Sequence, residues 1–327
     1  MERHEVIIVG GGPAGSSCAW RLKRHGIDAL VLDRERFPRL KLCAGWITPE
    51  VVADLELDPA TYPASFMTFA KLRIRIKGLG FSFATPQHSI RRIEFDDWLL
   101  RRSGAEVRTH NVRSIARDGD GFVVDDAYRC RWLVGAGGTR CPVYRTFLRE
   151  VAPRSERLQA AVLEHEIAHE WTDGDCRLWF FEQGLPGYAW YVPKAASASA
   201  GRHVNVGVGG MATLLAARER SIRSHWDALT ARLAAETGHD LAWAPGGYTY
   251  YLRGDIPTGR QGRVLVCGDA LGLATRDMCE GIGPAIRSGF AAAETIARDA
   301  PYALDHIARH SLPALAARPL DWAFCRR

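Results

Sequence analysis

The chain opens on a short unbroken apolar block, Val6–Val9 within Glu5–Val9, which is the pattern of a strand buried on both faces. A glycine cluster follows, then a helical segment over Pro13–His25 and a second strand over Asp28–Leu32. The opening 33 residues therefore predict a compact β-turn-α-β unit. Leu72–Phe83 has another rhythm: apolar Leu72, Ile74 and Ile76 alternate with charged residues, which predicts a half-exposed antiparallel strand. Phe95–Arg102 reads as a short helix, Glu106–Val107 and Gly121–Val124 as strands, and Arg131–Gly135 as another buried strand.

From about Leu158 to Gly210 the texture changes. Ala160–Ile167, Cys176–Phe181, Tyr188–Val192 and His203–Val208 are successive strand candidates rich in aromatic and β-branched residues. Thr213–Glu236 predicts a helix, Tyr248–Leu252 a strand and Arg263–Cys267 a buried strand. Gly283–Arg298 predicts an amphipathic helix, and Tyr302–Cys325 a further helix carrying leucines and a tryptophan. No internal repeat or low-complexity linker is present, and Ala195–Ala200 is too short to divide domains. Separated stretches thus build one layer of buried strands and helices, and the pieces between them build a second, antiparallel layer.

With 47% hydrophobic and 24% charged residues, the 327-residue chain has an ordinary globular balance, enough for one large domain or two intimate ones. The formal charge of +6 is scattered, mostly as arginine, which suits anionic ligands, anionic headgroups or plain solubility. No nucleic-acid motif accompanies it, which argues against a nucleic-acid partner. No apolar run approaches the roughly 18–20 residues of a membrane-spanning helix. Val6–Val9 leads straight into glycines and is no signal peptide, so a cytoplasmic protein is expected, with the Trp- and Leu-bearing tail as a candidate contact to the inner membrane face. The eight cysteines show neither a CxxC pair nor zinc spacing, so free thiols and no metal are expected. His165 and His169 would suit a metal only on a helix, and their segment reads as a strand end.

Gly10-Gly11-Gly12-Pro13-Ala14-Gly15 has the GxGxxG spacing between a strand and a helix. Gly10 permits the tight turn, Gly12 lets a pyrophosphate approach the backbone, and Gly15 lets the helix sit close to the strand, with Pro13 and Ala14 opening the helix. Asp33 closes the second strand 23 positions after Gly10, where a carboxylate accepts bonds from an adenosine ribose. This fingerprint does not separate NAD from FAD.

Four further segments do. Pro38-Arg39-Leu40-Lys41-Leu42-Cys43-Ala44-Gly45-Trp46 resembles the Lys-x-Cys-Gly-Gly segment of the geranylgeranyl reductase family, within the p-hydroxybenzoate hydroxylase-like flavoproteins, with Ala44 in place of the first Gly. Arg92-Ile93-Glu94-Phe95-Asp96-Asp97-Trp98-Leu99 is close to that family's R-x-x-F-D-x-x-L signature. Tyr188-Ala189-Trp190-Tyr191-Val192-Pro193 is similar to its Y-x-W-x-F-P motif, with Val192 where Phe is usual, and Asn205-Val206-Gly207-Val208-Gly209 follows as the family's strand does. Val266-Cys267-Gly268-Asp269-Ala270-Leu271-Gly272 matches its GD signature, and Glu280-Gly281-Ile282-Gly283 follows.

The resemblance implies an α/β fold: a three-layer Rossmann-like FAD-binding fold with an interleaved antiparallel β-sheet substrate region. The cofactor layer is expected over 1–65, 92–150 and 255–327, and the substrate region over 66–91 and 151–254. It implies FAD, held by Gly10, Gly12, Pro13, Ala14, Gly15, Asp33, Arg34, Lys41, Ala44, Gly45, Arg92, Val112, Gly268, Asp269, Gly281 and Ile282. It also implies hydride transfer through the flavin to a carbon–carbon bond of a small apolar, isoprenoid-like or aromatic substrate, with NAD(P)H or ferredoxin as electron donor. Cys43 and Cys279 are expected near the flavin ring, as proton donor, substrate contact or thiol pair. Tyr188 and Trp190 share one strand face and are expected to form an aromatic wall for the substrate. Arg91 is expected at the surface.

Three departures matter. Gly137 in Gly135-Ala136-Gly137-Gly138 replaces an Asp linked to cofactor and NADPH binding in the hydroxylases, Arg276-Asp277-Met278-Cys279 replaces the usual P-L-T-G, and the chain stops soon after the last helix shared with the family, where lipid-reducing relatives carry a longer C-terminal portion. Two alternatives stay open: a flavin monooxygenase or halogenase, and a non-catalytic FAD carrier.

Overall fold

The computed structural model describes residues 1–218, 220–238, 242–312 and 319. The chain forms two compact units. The first gathers Met1–Arg39, Phe95–Ser155 and the described residues from Tyr251 on; the second gathers Leu40–Glu94 and Glu156–Tyr250. Residues 40–65, which the sequence reading placed with the cofactor layer, cluster in the second unit.

The first unit is built on an eight-stranded sheet. Its middle is a parallel row in the order Val264–Val266, Tyr128–Gly135, Glu2–Val9, Ala29–Asp33 and Glu106–Thr109. Arg260–Gln261 adds an antiparallel edge, and a hairpin of Ile115–Asp118 and Gly121–Val124 pairs antiparallel with Tyr128–Gly135. The apolar runs split by parity, as a two-faced strand requires. Ile7, Val9, Leu30 and Leu32 enter one core with Phe122, Val143, Leu148 and Ile307. Val6, Ile8, Ala29 and Val31 enter the other with Ala14, Cys18, Leu22, Ala285 and Ala293. That second face is covered by helices Pro13–Arg24 and Ile282–Arg298, giving the three layers expected of a Rossmann-like unit.

The second unit carries a seven-stranded sheet in the order Gly246–Tyr251, Gln159–Ala168, His203–Met211, Gly187–Lys194, Cys176–Phe180, Leu72–Ile76, Leu79–Phe83. The central pairs are antiparallel; Cys176–Phe180 and Leu72–Ile76 run parallel. Helix Ile222–Thr237 covers one face, with Trp226, Leu229 and Leu233 packed on Ala189, Tyr191, Val204, Val206 and Val208. A small sheet of Trp46–Ile47, His88–Ile90 and Phe66–Thr68 completes the unit.

Several elements differ from the sequence expectation. Leu72–Phe83 is two strands, because Lys77 and Gly78 turn the chain with φ of 48° and 92°. The helix expected over Thr213–Glu236 is two helices, Ala212–Ala216 and Ile222–Thr237, because Ser221 caps a new start by accepting the Ser224 N–H at 3.2 Å. The helix Pro49–Asp54, capped by Thr48, had gone unread despite its Thr-Pro-Glu start signal.

Residues 302–312 are not helical, against the expectation for Tyr302–Cys325. Their backbone polar groups bond to side chains instead of to a helical ladder. Buried Arg253 donates to the Leu304 and Ile307 carbonyls, and buried Asp277 accepts the N–H groups of Ser311 and Leu312 at 2.9 and 2.8 Å. The rest of that stretch, with its Trp and Cys325, lies outside the described residues, apart from Pro319.

The two helices over the second face of the first sheet touch backbone to backbone. A Cβ on Gly289 would lie 2.3 Å from the Ala14 carbonyl oxygen. Gly289→Ala is therefore expected to cost about 1–3 kcal/mol by overpacking. Gly201→Ala, at a position with open space around it, is expected to stay within about 0.5 kcal/mol. Urea denaturation of both variants checks this; equal stabilities would contradict the close helix contact.

Candidate functional site

In the first unit, one continuous set of contacts joins the glycine turn to the two acids expected around it. The Gly11 N–H donates to Asp33 Oδ2 at 2.7 Å, and Asp33 Oδ1 accepts the Glu35 N–H at 2.9 Å. A Cβ on Gly15 would stand 1.9 Å from the Gly10 carbonyl oxygen, so the turn closes only without a side chain there. Helix Pro13–Arg24 begins at Gly12 with no side-chain cap and no acidic residue in its first turn. Its N-terminal donors and positive dipole end are therefore available to an anion. The GD turn packs on the same helix, with Gly268 fitted between Ala14 and Ala285 and its N–H donating to Ser288 Oγ at 2.9 Å. Asp269 stands beside Gly281, 3.2 Å from where its Cβ would be, and Gly281 opens helix Ile282–Arg298, whose Gly283 N–H is taken by the Glu280 carboxylate.

Arg39 is a residue the sequence reading quoted but did not assign. Its Nη2 lies 3.4 Å from the Cβ position of Gly12, and its Nη1 pairs with buried Asp96 at 3.0 Å. Asp96 of the Arg92–Leu99 motif thus holds a guanidinium at the glycine turn, where a phosphate would need one. The turn, the uncapped helix start, Asp33 and Arg39 fit the adenosine–pyrophosphate portion of FAD.

Of the remaining expected contacts in this unit, Arg34 is exposed and pairs with Glu35 at 3.4 Å. Val112 is 7% exposed and packed in the core. Gly137 has Cys141 Cα only 3.2 Å from its Cβ position, so a side chain there requires Cys141 to yield. Cys279 is half-buried with φ of 56°, in the loop held by Thr275. Burial pushes the Glu280 carboxyl up to about 7, opposed by the Gly283 N–H that it accepts at 2.6 Å.

The second unit gathers Cys43, Ala44, Gly45, Lys41 and Arg92. Three consecutive carbonyls in it are captured by buried side-chain donors. Asn205 Nδ2 donates to the Cys43 carbonyl at 3.2 Å, and Lys194 Nζ donates to the carbonyls of Ala44 and Gly45. Gly45 has φ of 63° and sends its N–H to Cys43 Sγ at 3.4 Å. Lys41 Nζ sits 3.2 Å over the Tyr248 ring. Arg91, expected at the surface, is largely buried between Glu166 at 2.7 Å and Glu94 at 3.7 Å, because neighbouring carboxylates offset its desolvation.

Tyr188 and Trp190 share a face as expected, with ring centroids 5.8 Å apart. The indole lies across Gly207, whose absent Cβ would sit 2.0 Å from the ring, and its Nε1–H donates to Asn205 Oδ1 at 2.7 Å. Glu164 stands on the same face, one strand beyond, since Trp190 pairs with Gly207 and Gly207 pairs with Glu164. Its side chain is buried, Oε1 has no hydrogen-bond partner, and burial pushes its carboxyl up to about 8 against the pull of Lys41, Lys194 and Arg92. Burial likewise drags the Lys194 ammonium down to about 8. Sequence reading missed Lys194, Asn205 and Glu164. The signal for all three was a polar residue at the inward parity of an apolar strand.

Residues 8–66 match the pattern of an NAD(P)-binding Rossmann-like domain. An uncharacterized protein of Methanosarcina barkeri is 28% identical over 309 residues, covering 90% of this chain and 75% of its own length. Menaquinone reductase of Mycolicibacterium smegmatis is 29% identical over 244 residues, covering 68% and 58%. Geranylgeranyl diphosphate reductase of Rhodobacter capsulatus is 27% identical over 223 residues, covering 61% and 54%, so the matches span little more than half of these two reductases. A geranylgeranyl bacteriochlorophyll reductase-like structure from Thermoplasma acidophilum superposes with a TM-score of 0.75 at 18% identity, over 91% of this chain and 78% of that one. Fold, glycine turn and sequence relatives agree: the chain carries a Rossmann-like unit and is similar, at 27–29% identity, to proteins named as menaquinone and geranylgeranyl diphosphate reductases.

Proposed function

We propose that this protein is a reductase acting on a carbon–carbon double bond of an apolar, isoprenoid-like substrate. The row Trp190–Gly207–Glu164 carries the reading, because it sets a flat aromatic surface beside a single buried acid on one sheet face. FAD, when bound, supplies the hydride; the chain supplies grip, orientation and the proton. In the first unit the glycine turn, Asp33, Arg39 and the start of helix Pro13–Arg24 hold the adenosine–pyrophosphate end, and Asp269 with the start of helix Ile282–Arg298 serves the flavin end. In the second unit Tyr188 and Trp190 orient the apolar chain. Lys194 and Asn205 fix the 43–45 backbone, and with it Cys43. Glu164, neutral at pH 7, holds the proton that the second carbon of the double bond requires.

Under anaerobic conditions, dithionite-reduced holoenzyme mixed with a polyprenyl substrate is expected to reoxidise its flavin with one saturated bond formed per flavin. Reoxidation only on admitting oxygen, with a hydroxylated or halogenated product, would favour the monooxygenase or halogenase alternative. An intact flavin spectrum with no turnover would favour the carrier.

Glu164 makes the pH dependence specific. Its folded value of about 8 lies above the ordinary 4.5, so the acid's contribution to stability is complete below about pH 4.5 and is lost as pH rises through 8. Turnover of the wild type is expected to fall over the same alkaline limb. Glu164→Gln is expected to flatten both the stability and the activity profile and to slow turnover by about 10²-fold. A variant that keeps the wild-type alkaline limb would remove Glu164 from this role.

A further inference from the structure

The outer edge of the seven-stranded sheet is strand Leu79–Phe83, exposed along its whole length. Leu79, Phe81 and Phe83 are 70%, 54% and 48% exposed, and all three point to the face that also bears Leu72, Ile74 and Ile76. The opposite face of the hairpin carries Arg73, Arg75, Gly80 and Ser82, with Lys71 and Lys77 at its ends. Arg73 pairs with Asp173 and Asp175, and Arg75 with Glu182, yet both guanidinium side chains remain about half exposed. No Asp or Glu occurs anywhere in residues 59–93, so the hairpin itself is purely basic. An exposed apolar edge strand invites aggregation unless it has an occupant. Aromatic and leucine side chains beside lysine and arginine are the composition that settles into the headgroup region of an anionic bilayer.

The apolar face of the hairpin is continuous with the candidate substrate site. Phe81 pairs with Ile74, Ile74 with Leu178, Leu178 with Trp190, Trp190 with Gly207 and Gly207 with Glu164. A second row runs beside it through Leu79, Ile76, Phe180 and Tyr188. Phe81 and Trp190 are three strand spacings apart, about 14 Å at ~4.8 Å per strand. One sheet face thus carries a continuous apolar row from the exposed edge strand to the indole, with Leu178, Phe180 and Trp190 buried at its inner end.

We propose that the Leu72–Phe83 hairpin docks on an anionic lipid bilayer and presents the exposed end of this apolar row to a bilayer-borne apolar substrate. The presentation of substrate rests on the proposed reductase function; the docking does not. Holoenzyme is sedimented with phosphatidylcholine vesicles containing phosphatidylglycerol, alongside the triple variant Leu79→Ser, Phe81→Ser, Phe83→Ser and the pair Lys71→Glu, Lys77→Glu. The wild type is expected to bind, the triple variant to bind at least 10-fold more weakly with an unchanged flavin spectrum, and the pair to bind more weakly at low salt. The triple variant is also expected to lose turnover of a long polyprenyl substrate in vesicles while keeping turnover of a short, detergent-dispersed one. Wild type that ignores the vesicles, or a triple variant that binds them equally, overturns the docking. A concentration-dependent dimer abolished by the triple variant, with no vesicle binding, overturns it in favour of a second copy on the edge strand. Vesicle binding without turnover of either substrate leaves the docking standing and fails the reductase reading.

Discussion

Close backbone approach at the head of helix Pro13–Arg24 is the constraint on which the first unit depends. At Gly15 and Gly289 a side chain would stand within 1.9 and 2.3 Å of a carbonyl oxygen, so helix, turn and neighbouring helix meet with no Cβ between them. That packing places Gly268 against Ala14 and brings the uncapped start of helix Pro13–Arg24 and the start of helix Ile282–Arg298 into one cluster of contacts with Asp33 and Asp269. The uncapped start of helix Pro13–Arg24 leaves donors that suit an anionic ligand. Arg39, tethered by buried Asp96, adds the cation that a pyrophosphate needs.

The second unit solves a different problem, which is how to keep polar groups inside an apolar sheet face. Lys194, Asn205 and Glu164 are each 2% exposed or less. Asn205 and Lys194 spend their donors on three successive carbonyls and so make the 43–45 segment rigid. Glu164 keeps one oxygen without a partner, and neutralisation is the cheap response of a carboxyl in such a setting. A neutral acid beside an indole is a proton store next to an apolar surface. In this reading, rigidity and protonation come from the same burial.

Much of this was legible in the sequence. The β-turn-α-β start, Asp33 and the buried strand ahead of Gly268-Asp269 were visible because local rules dictate them: glycine spacing, uninterrupted apolar runs and an acid at a strand end. The alternation of Tyr188 and Trp190 was visible for the same reason. The turn at Lys77-Gly78 was blurred because apolar residues continue on both sides of it. The non-helical path of residues 302–312 was hidden because its bonds come from Arg253 and Asp277, both distant in sequence. Glu164 and Lys194 carry only a faint local mark, a polar residue at inward strand parity, and Arg39 carries none; strand register and tertiary contact put them at the sites.

The most direct test of the account is stoichiometric. The purified chain is titrated with FAD, and separately with NAD, while the visible spectrum and fluorescence are followed. The account predicts one tightly held FAD per chain, with a structured flavin band and quenched fluorescence, and no comparable uptake of NAD. A protein that stays colourless and leaves added FAD free would contradict it.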